Sequence, residues 1–120
     1  MGISYPNIIL IGSTGWLGSR LAEALTIGIP DLRHIEKGGK PLVCFVKPGE
    51  NMKTLLSLGV KVIYGDITNP EAVNYLLHGK DDSLVIHAAG LVHPPLFTKK
   101  LYEVNVKGTI NILQSAIKNK

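Results

Sequence analysis

Glycines at positions 12, 15 and 18 punctuate the segment Gly12-Ser13-Thr14-Gly15-Trp16-Leu17-Gly18, a spacing suited to holding phosphate against backbone. The chemistry of such a loop is binding rather than bond making. The first glycine permits a tight turn, the second lets an anion approach the main chain, and the third lets helix and strand pack closely. A helix starting there would offer N–H groups and a partial positive charge to a pyrophosphate. In a chain with 13 glycines the spacing alone is weak evidence. Its context makes it informative. The apolar run Ile8-Ile9-Leu10-Ile11 leads in, and Leu21, Ala22, Ala24 and Leu25 lead out at helical spacing. A Walker-type loop would end in Gly-Lys-Ser/Thr, whereas this one ends Gly18-Ser19-Arg20. The pyrophosphate of a dinucleotide is therefore the expected occupant.

Other residues capable of chemistry are few. His34, His78, His87 and His93 have neither metal-ligand spacing nor a companion cluster of Cys or carboxylate, so no metal site is assigned. His93, followed by Pro94-Pro95, is expected in a loop, where it either touches substrate or has no role. The single Cys44 excludes an internal disulfide and suits a reducing compartment. Within Leu42-Val43-Cys44-Phe45-Val46 it reads as a buried, inert thiol. Asp66, in Tyr64-Gly65-Asp66-Ile67-Thr68, is placed either to cap a turn or to reach a ligand.

These residues must be positioned by a scaffold, and the apolar periodicity describes one. Ile8–Ile11, Leu42–Val46, Val60–Tyr64 and Ser83–His87 are short runs expected to form strands, the most apolar of them buried on both faces. Helical patterns separate them. Met52, Leu55, Leu56 and Leu58 precede Gly59, and Pro70–Leu77 opens with Asn69 as cap and Pro70 in the first position. A last long pattern, about Leu96–Lys118, carries Leu101, Val104, Ile110, Leu113 and Ile117 on one side. Strand and helix alternating four times predict an α/β fold, a parallel sheet with helices on both faces. Ile27–Lys40, rich in Gly, Pro and charge, reads as a surface insertion.

A length of 120 residues suits one domain, 1–120, with no internal repeat or low-complexity tract. Thirteen basic residues against nine acidic leave a net charge of +4. The lysines are scattered, which argues against a nucleic-acid partner. No apolar run approaches the roughly 18 residues of a membrane span, and no basic stretch precedes an apolar one as in a leader. A cytoplasmic protein is the expectation.

Three further segments, taken with the glycine loop, resemble the extended branch of the short-chain dehydrogenase/reductase superfamily, the NAD-dependent epimerase/dehydratase family. They are Tyr64-Gly65-Asp66-Ile67-Thr68, Val85-Ile86-His87-Ala88-Ala89-Gly90 and Asn105-Val106-Lys107-Gly108-Thr109-Ile110-Asn111. The four motifs run in order from residue 12 to residue 111, essentially the whole chain. The resemblance implies a Rossmann-type sheet of four strands in the order 3-2-1-4, the truncated first part of a longer fold, with a nicotinamide dinucleotide as partner. It implies cofactor contacts from Gly12, Ser13, Thr14, Gly15, Trp16, Leu17, Gly18, Lys47, Asp66, Ile67, Ala88, Ala89, Gly90 and Asn105. Asp66 would meet the adenine, Ala88–Gly90 the ribose and nicotinamide side, and Asn105 would order the active site. Read as residues, Ala88-Ala89-Gly90 equally permits tight packing, and Asn105 is equally a core hydrogen-bonder. Gly108 in mid-helix costs about 1 kcal/mol against Ala, which points to close packing.

NAD selection ordinarily rests on an acid near the end of the second strand. This strand ends Phe45-Val46-Lys47-Pro48-Gly49. Relatives with a basic residue there hold the 2′-phosphate of NADP, so Lys47 favours NADP, while Glu50 keeps NAD open. The resemblance further implies the N-terminal part of an NAD(P)-dependent oxidoreductase, epimerase or dehydratase acting on a sugar nucleotide, steroid-like alcohol or related carbonyl substrate. Such enzymes use a Tyr-x-x-x-Lys pair for proton transfer. Here Tyr64 is followed at that spacing by Thr68, Tyr75 by Gly79 and Tyr102 by Val106. The pair is expected after a fifth strand, beyond Lys120, so no catalytic residue is assigned and the isolated chain is expected to be inactive. The alternatives are a module that binds a dinucleotide without turnover, and a degenerate truncated product. Strand four would form an open edge, so marginal stability, or homo-oligomers through that edge and the last helix, is expected.

Overall fold

The computed structural model describes residues 7–29, 41–80, 82–91 and 99–119. Strand β1 (Asn7–Ile11) is followed by helix α1 (Trp16–Thr26), β2 (Leu42–Val46), α2 (Lys53–Leu58), β3 (Lys61–Tyr64), α3 (Pro70–Leu77) and β4 (Ser83–His87). The last helix comprises α4 (Lys99–Tyr102), a π-helical stretch (Glu103–Gly108) and α5 (Thr109–Lys118). Most of the segment read as an insertion, and His34 and His93, lie outside the described residues.

The four strands form one parallel sheet in the order β3-β2-β1-β4, as the motifs imply. Ile9 sits between Val43 and Val85 in register, so the chain's most apolar run occupies the centre. The period-two alternation of strands divides the core into two layers. Ile9, Ile11, Val43, Phe45 and Val85 face α3 and α5, packing with Val73, Leu76 and Ile112. Leu10, Leu42, Cys44, Val46 and Ile86 face α1 and α2, packing with Ala22 and Leu55. Cys44 is buried, as its neighbours required.

Local signals are realised at the helix ends. The Asn69 side chain accepts from the amides of Glu71 at 3.0 Å and Ala72 at 3.4 Å, with Pro70 in the first turn. Gly59 ends α2 in the left-handed region at φ +68°. The last helix buries a different face from its apolar stripe. Ile110, Leu113 and Ile117 are 42%, 58% and 67% exposed, while Gly108, Ile112 and Ser115 turn inward. The helix packs against α3 and over Ile67 through small residues, so its most apolar stripe faces outward. Among the described residues, the outer edge of β4 pairs with no strand.

Candidate functional site

All four strands point their carboxyl ends the same way. The sheet runs outward from β1 to β2 and β3 on one side and to β4 on the other. Ligands of open α/β sheets bind in the crevice outside the strand ends at such a reversal. Here the crevice is a cleft of about 330 Å³, walled by the loops that follow each of the four strands and by the start of the last helix.

The glycine loop forms its floor, and its three glycines are glycine for different reasons. Gly12 has φ +87°, and a Cβ there would come within 2.5 Å of the Ala88 carbonyl carbon. A Cβ on Gly18 would fall on the Gly12 carbonyl. Both therefore serve packing inside the chain: the loop abuts the end of β4, and α1 abuts the loop. Gly15 differs. Its backbone, at φ −71° and ψ 169°, is open to any residue, and an added Cβ would lie 3.6 Å from the Gly12 oxygen, an ordinary contact. Gly15 lines the cleft and is the N-cap of α1. No side chain caps this helix start and no acid occupies its first turn, so its first amides are left without a side-chain partner at the Gly15 end, which lines the cleft. A smooth backbone cradle in front of an uncapped helix start fits a pyrophosphate.

Beyond the loop, the ends of β2 and β3 supply charge. Lys47 Nζ lies 3.8 Å from the Asp66 carboxylate, both side chains being over a third exposed, which makes the pair a weak one. Burial would raise the Asp66 pKa. Hydrogen bonds from the Thr68 amide and hydroxyl, each 2.9 Å, and the charges of Lys47 and Lys100 outweigh it and hold the carboxyl below its ordinary range. Glu50 is folded back by the Pro48-Gly49 turn, with Gly49 at φ +92° and the Glu50 amide donating to the Lys47 carbonyl at 3.3 Å. Its carboxylate accepts from Thr14 Oγ1 at 2.6 Å and from the Lys47 amide at 3.2 Å. It thus ties the β2 tip to the glycine loop.

At the far side, Ala88, Ala89 and Gly90 line the cleft with their small side chains. Asn105 clamps the next peptide: Leu91 N–H donates to Asn105 Oδ1 at 2.7 Å, and Asn105 Nδ2 donates to the Leu91 carbonyl at 3.0 Å. The π-helical stretch that carries Asn105 also puts Val104 on the cleft wall; such stretches recur at functional sites. Thr109 Oγ1 donates to the Asn105 carbonyl at 2.8 Å, which leaves it an acceptor toward His87 Nε2 at 3.0 Å. His87 therefore carries its proton on Nε2 by hydrogen-bond logic. Its Nδ1 is buried without a partner, and burial lowers the ring's pKa.

Of the residues expected to meet a cofactor, the structure brings Gly12, Thr14, Gly15, Lys47, Asp66, Ile67, Ala88, Ala89 and Gly90 to one cleft. The side chains of the others lie elsewhere. Ser13 is fully buried, its hydroxyl turned in beside Cys44 without the geometry of a full hydrogen bond. Burial raises the Cys44 pKa and the serine contact offsets this only in part, so the thiol is inert. Trp16 and Leu17 point outward from α1, 83% and 48% exposed, and Gly18 faces Gly12. Asn105 acts from behind Leu91. Phe45, Glu50, Gly65, Lys100 and Val104 join the lining. Glu50 had a readable signal in the Pro48-Gly49 turn that folds it back; Lys100 and Val104 had none, since only tertiary packing brings the last helix there. Among the described residues no group of His, Cys, Asp and Glu could hold a metal ion, and no helix is long and apolar enough to cross a membrane.

Sheet order, cleft and glycine loop define a Rossmann-type nucleotide-binding fold. The chain belongs to the 3-beta hydroxysteroid dehydrogenase/isomerase family, which it matches over residues 9–120; this agrees with its resemblance to the extended short-chain dehydrogenases/reductases. A UDP-glucose 4-epimerase of Rickettsia canadensis is 32% identical over an alignment of 122 positions that covers 95% of this chain and 33% of that protein. The structures of WbmG and WbmH of Bordetella bronchiseptica, solved with NAD and NAD+, share the fold at TM-scores of 0.76 and 0.74. At 22% and 23% identity, each match covers 97% of this chain, and 35% and 36% of theirs. The chain spans about a third of the length of the curated relatives it matches.

Proposed function

We propose that this chain binds NAD across the cleft, as the nucleotide-binding part of an NAD-dependent epimerase, dehydratase or oxidoreductase acting on a sugar nucleotide or a related alcohol or carbonyl substrate. The observation that carries the reading is Gly15: a glycine with no packing reason to be one, on the cleft floor, at an uncapped helix start. The pyrophosphate would rest there. The adenosine half would extend over β2 and β3 toward Lys47, Glu50 and Asp66, and the nicotinamide half toward Ala88–Gly90 and Val104. When bound, the dinucleotide supplies hydride exchange; this chain's own residues hold and orient it.

Lys47 had favoured NADP. Two observations favour NAD instead. The Lys47 ammonium is turned to Asp66, and the Glu50 carboxylate stands on the same wall, where it suits a ribose diol and repels a 2′-phosphate. A titration of the 120-residue chain with NAD and NADP tests both levels. Tighter binding of NAD is the expected result. Tighter binding of NADP returns the assignment to Lys47, and binding of neither rejects the site. A cytoplasmic location goes with this reading, since dinucleotide and reduced thiol coexist there.

A further inference from the structure

We infer that Asn111 is a positioning residue for the adenosine half of the dinucleotide, a role separable from that of Asn105 at the opposite end; the inference rests on the dinucleotide reading above. The loop after β3 presents Asp66 and Ile67 to the cleft. Most of its hydrogen bonds are its own: the Thr68 amide and hydroxyl close on the Asp66 carboxylate, and the Asn69 amide on the Asp66 carbonyl at 3.0 Å. The Gly65 amide, at the loop's start, donates to the Val46 carbonyl at 2.9 Å and ties it to β2. Beyond Gly65, two contacts from the last helix hold the loop. Asn111 Nδ2 donates to the Ile67 carbonyl at 2.8 Å, across 44 residues of chain. Gly108, three residues earlier, lies against the Ile67 side chain so closely that a Cβ would come within 2.6 Å of its Cδ1. Among the described residues no other side chain outside the loop hydrogen-bonds to its backbone.

One helix thus holds two walls of one cleft. Asn105 fixes the amide and carbonyl of Leu91, and Asn111 with Gly108 fixes the carbonyl and side chain of Ile67. Between them Thr109 takes the hydrogen bond of His87 at the end of β4. The π-helical stretch widens the helix by one residue and divides the two functions, with Asn105 inside it and Asn111 in the regular turns that follow. The motif Asn105-Val106-Lys107-Gly108-Thr109-Ile110-Asn111 therefore spaces the two ends of the site.

The test uses ADP-ribose, which carries the adenosine, the pyrophosphate and the second ribose but no nicotinamide, beside NAD itself. Asn111→Ala should weaken ADP-ribose and NAD by the same factor, about tenfold, the loss of one hydrogen bond at a site that must stay ordered. Asn105→Ala should weaken NAD by a larger factor than ADP-ribose, which lacks the nicotinamide. Asn119→Ala is the control. Asn119 Nδ2 bonds to Asn74 Oδ1 at 3.0 Å at the far end of the same helix, away from the cleft, so this variant should lower the melting temperature without moving either affinity. Asn111→Ala with unchanged ADP-ribose affinity, or Asn119→Ala with an equal loss, overturns the inference. Should Asn111→Ala fail to fold, the side-chain amide resonance of Asn111 in the wild-type chain decides: ADP-ribose should shift it and leave that of Asn119 in place, and no shift overturns the role. If the wild-type chain binds neither ADP-ribose nor NAD, the dinucleotide reading itself has failed.

Discussion

Replacing Gly15 by alanine separates a glycine kept for a ligand from glycines kept for the fold. At Gly15 the backbone angles suit any residue, and the new methyl group would make only an ordinary contact with the Gly12 oxygen at 3.6 Å. Loss of unfolded-state freedom stabilises such a variant by about 0.4–1 kcal/mol. Alanine is a poorer N-cap than glycine by a comparable amount, so stability should change by less than about 1 kcal/mol. The methyl group instead stands where the pyrophosphate would meet the helix start. A helix terminus is worth up to about 2 kcal/mol to an anion, and a hydrogen bond to a charged group about 1.5–3 kcal/mol. Losing either gives roughly ten- to a hundredfold weaker binding. Gly12→Ala and Gly18→Ala should behave in the opposite way. Their methyl groups collide with backbone, and at Gly12 a positive φ adds strain, so a loss of roughly 3 kcal/mol or more is expected. The assay is calorimetric titration with NAD beside urea unfolding of all three variants. A Gly15→Ala chain that binds NAD like wild type, or that unfolds as readily as Gly12→Ala, refutes the reasoning.

Three further outcomes are expected. Glu50→Gln removes the acid proposed to face the adenosine ribose and should shift the NAD-to-NADP affinity ratio toward NADP by about tenfold or more, read by paired titrations; an unmoved ratio assigns the choice elsewhere. Neutral His87 has a folded pKa lowered by burial from its ordinary 6.5, so the unfolded chain takes up more protons as pH falls. The stability tied to the neutral ring should be complete above about pH 6.5 and should decline below it. Urea unfolding at pH 8 and 5.5 should show this loss in the wild type and a smaller one in His87→Gln, whereas equal losses reject it. Gly108→Ala should cost about 1–2 kcal/mol, since overpacking against Ile67 exceeds the roughly 1 kcal/mol helix gain of alanine, and a stabilised variant would show that Ile67 yields freely.

Much of the scaffold was legible because its signals are local. Ile8–Ile11 and Leu42–Val46 are too apolar for any place but the sheet centre, and Asn69-Pro70 marks a helix start by hydrogen bonding alone. The strand order came from motif resemblance rather than periodicity, since pairing partners are set by packing across long stretches of chain. The facing of the last helix was not legible. Ile110, Leu113 and Ile117 form the more apolar stripe, yet the helix buries Gly108, Ile112 and Ser115, because close approach to Ile67 and α3 requires small residues. The site divides in the same way. Gly12, Gly15 and Gly18 were recognised together, but only coordinates distinguish the glycine that faces the cleft from the two that face the protein. Ser13 was assigned to the cofactor by its place in a motif, and the turn of the loop buries it. Lys47 was read as favouring NADP, and Asp66 beside it could not be foreseen from separate strands.

The central claim is that the cleft at the strand ends holds a dinucleotide. Two-dimensional amide spectra of the 120-residue chain, titrated with NAD, test it residue by residue. The expected result is a saturable set of backbone shifts centred on Gly12–Leu17, Lys47–Glu50, Asp66–Thr68 and Ala88–Leu91, joined by the side-chain amide of Asn111, with the outer face of α3 and α5 otherwise unmoved. Absence of saturable shifts, or shifts centred on the groove between α3 and α5, would contradict it.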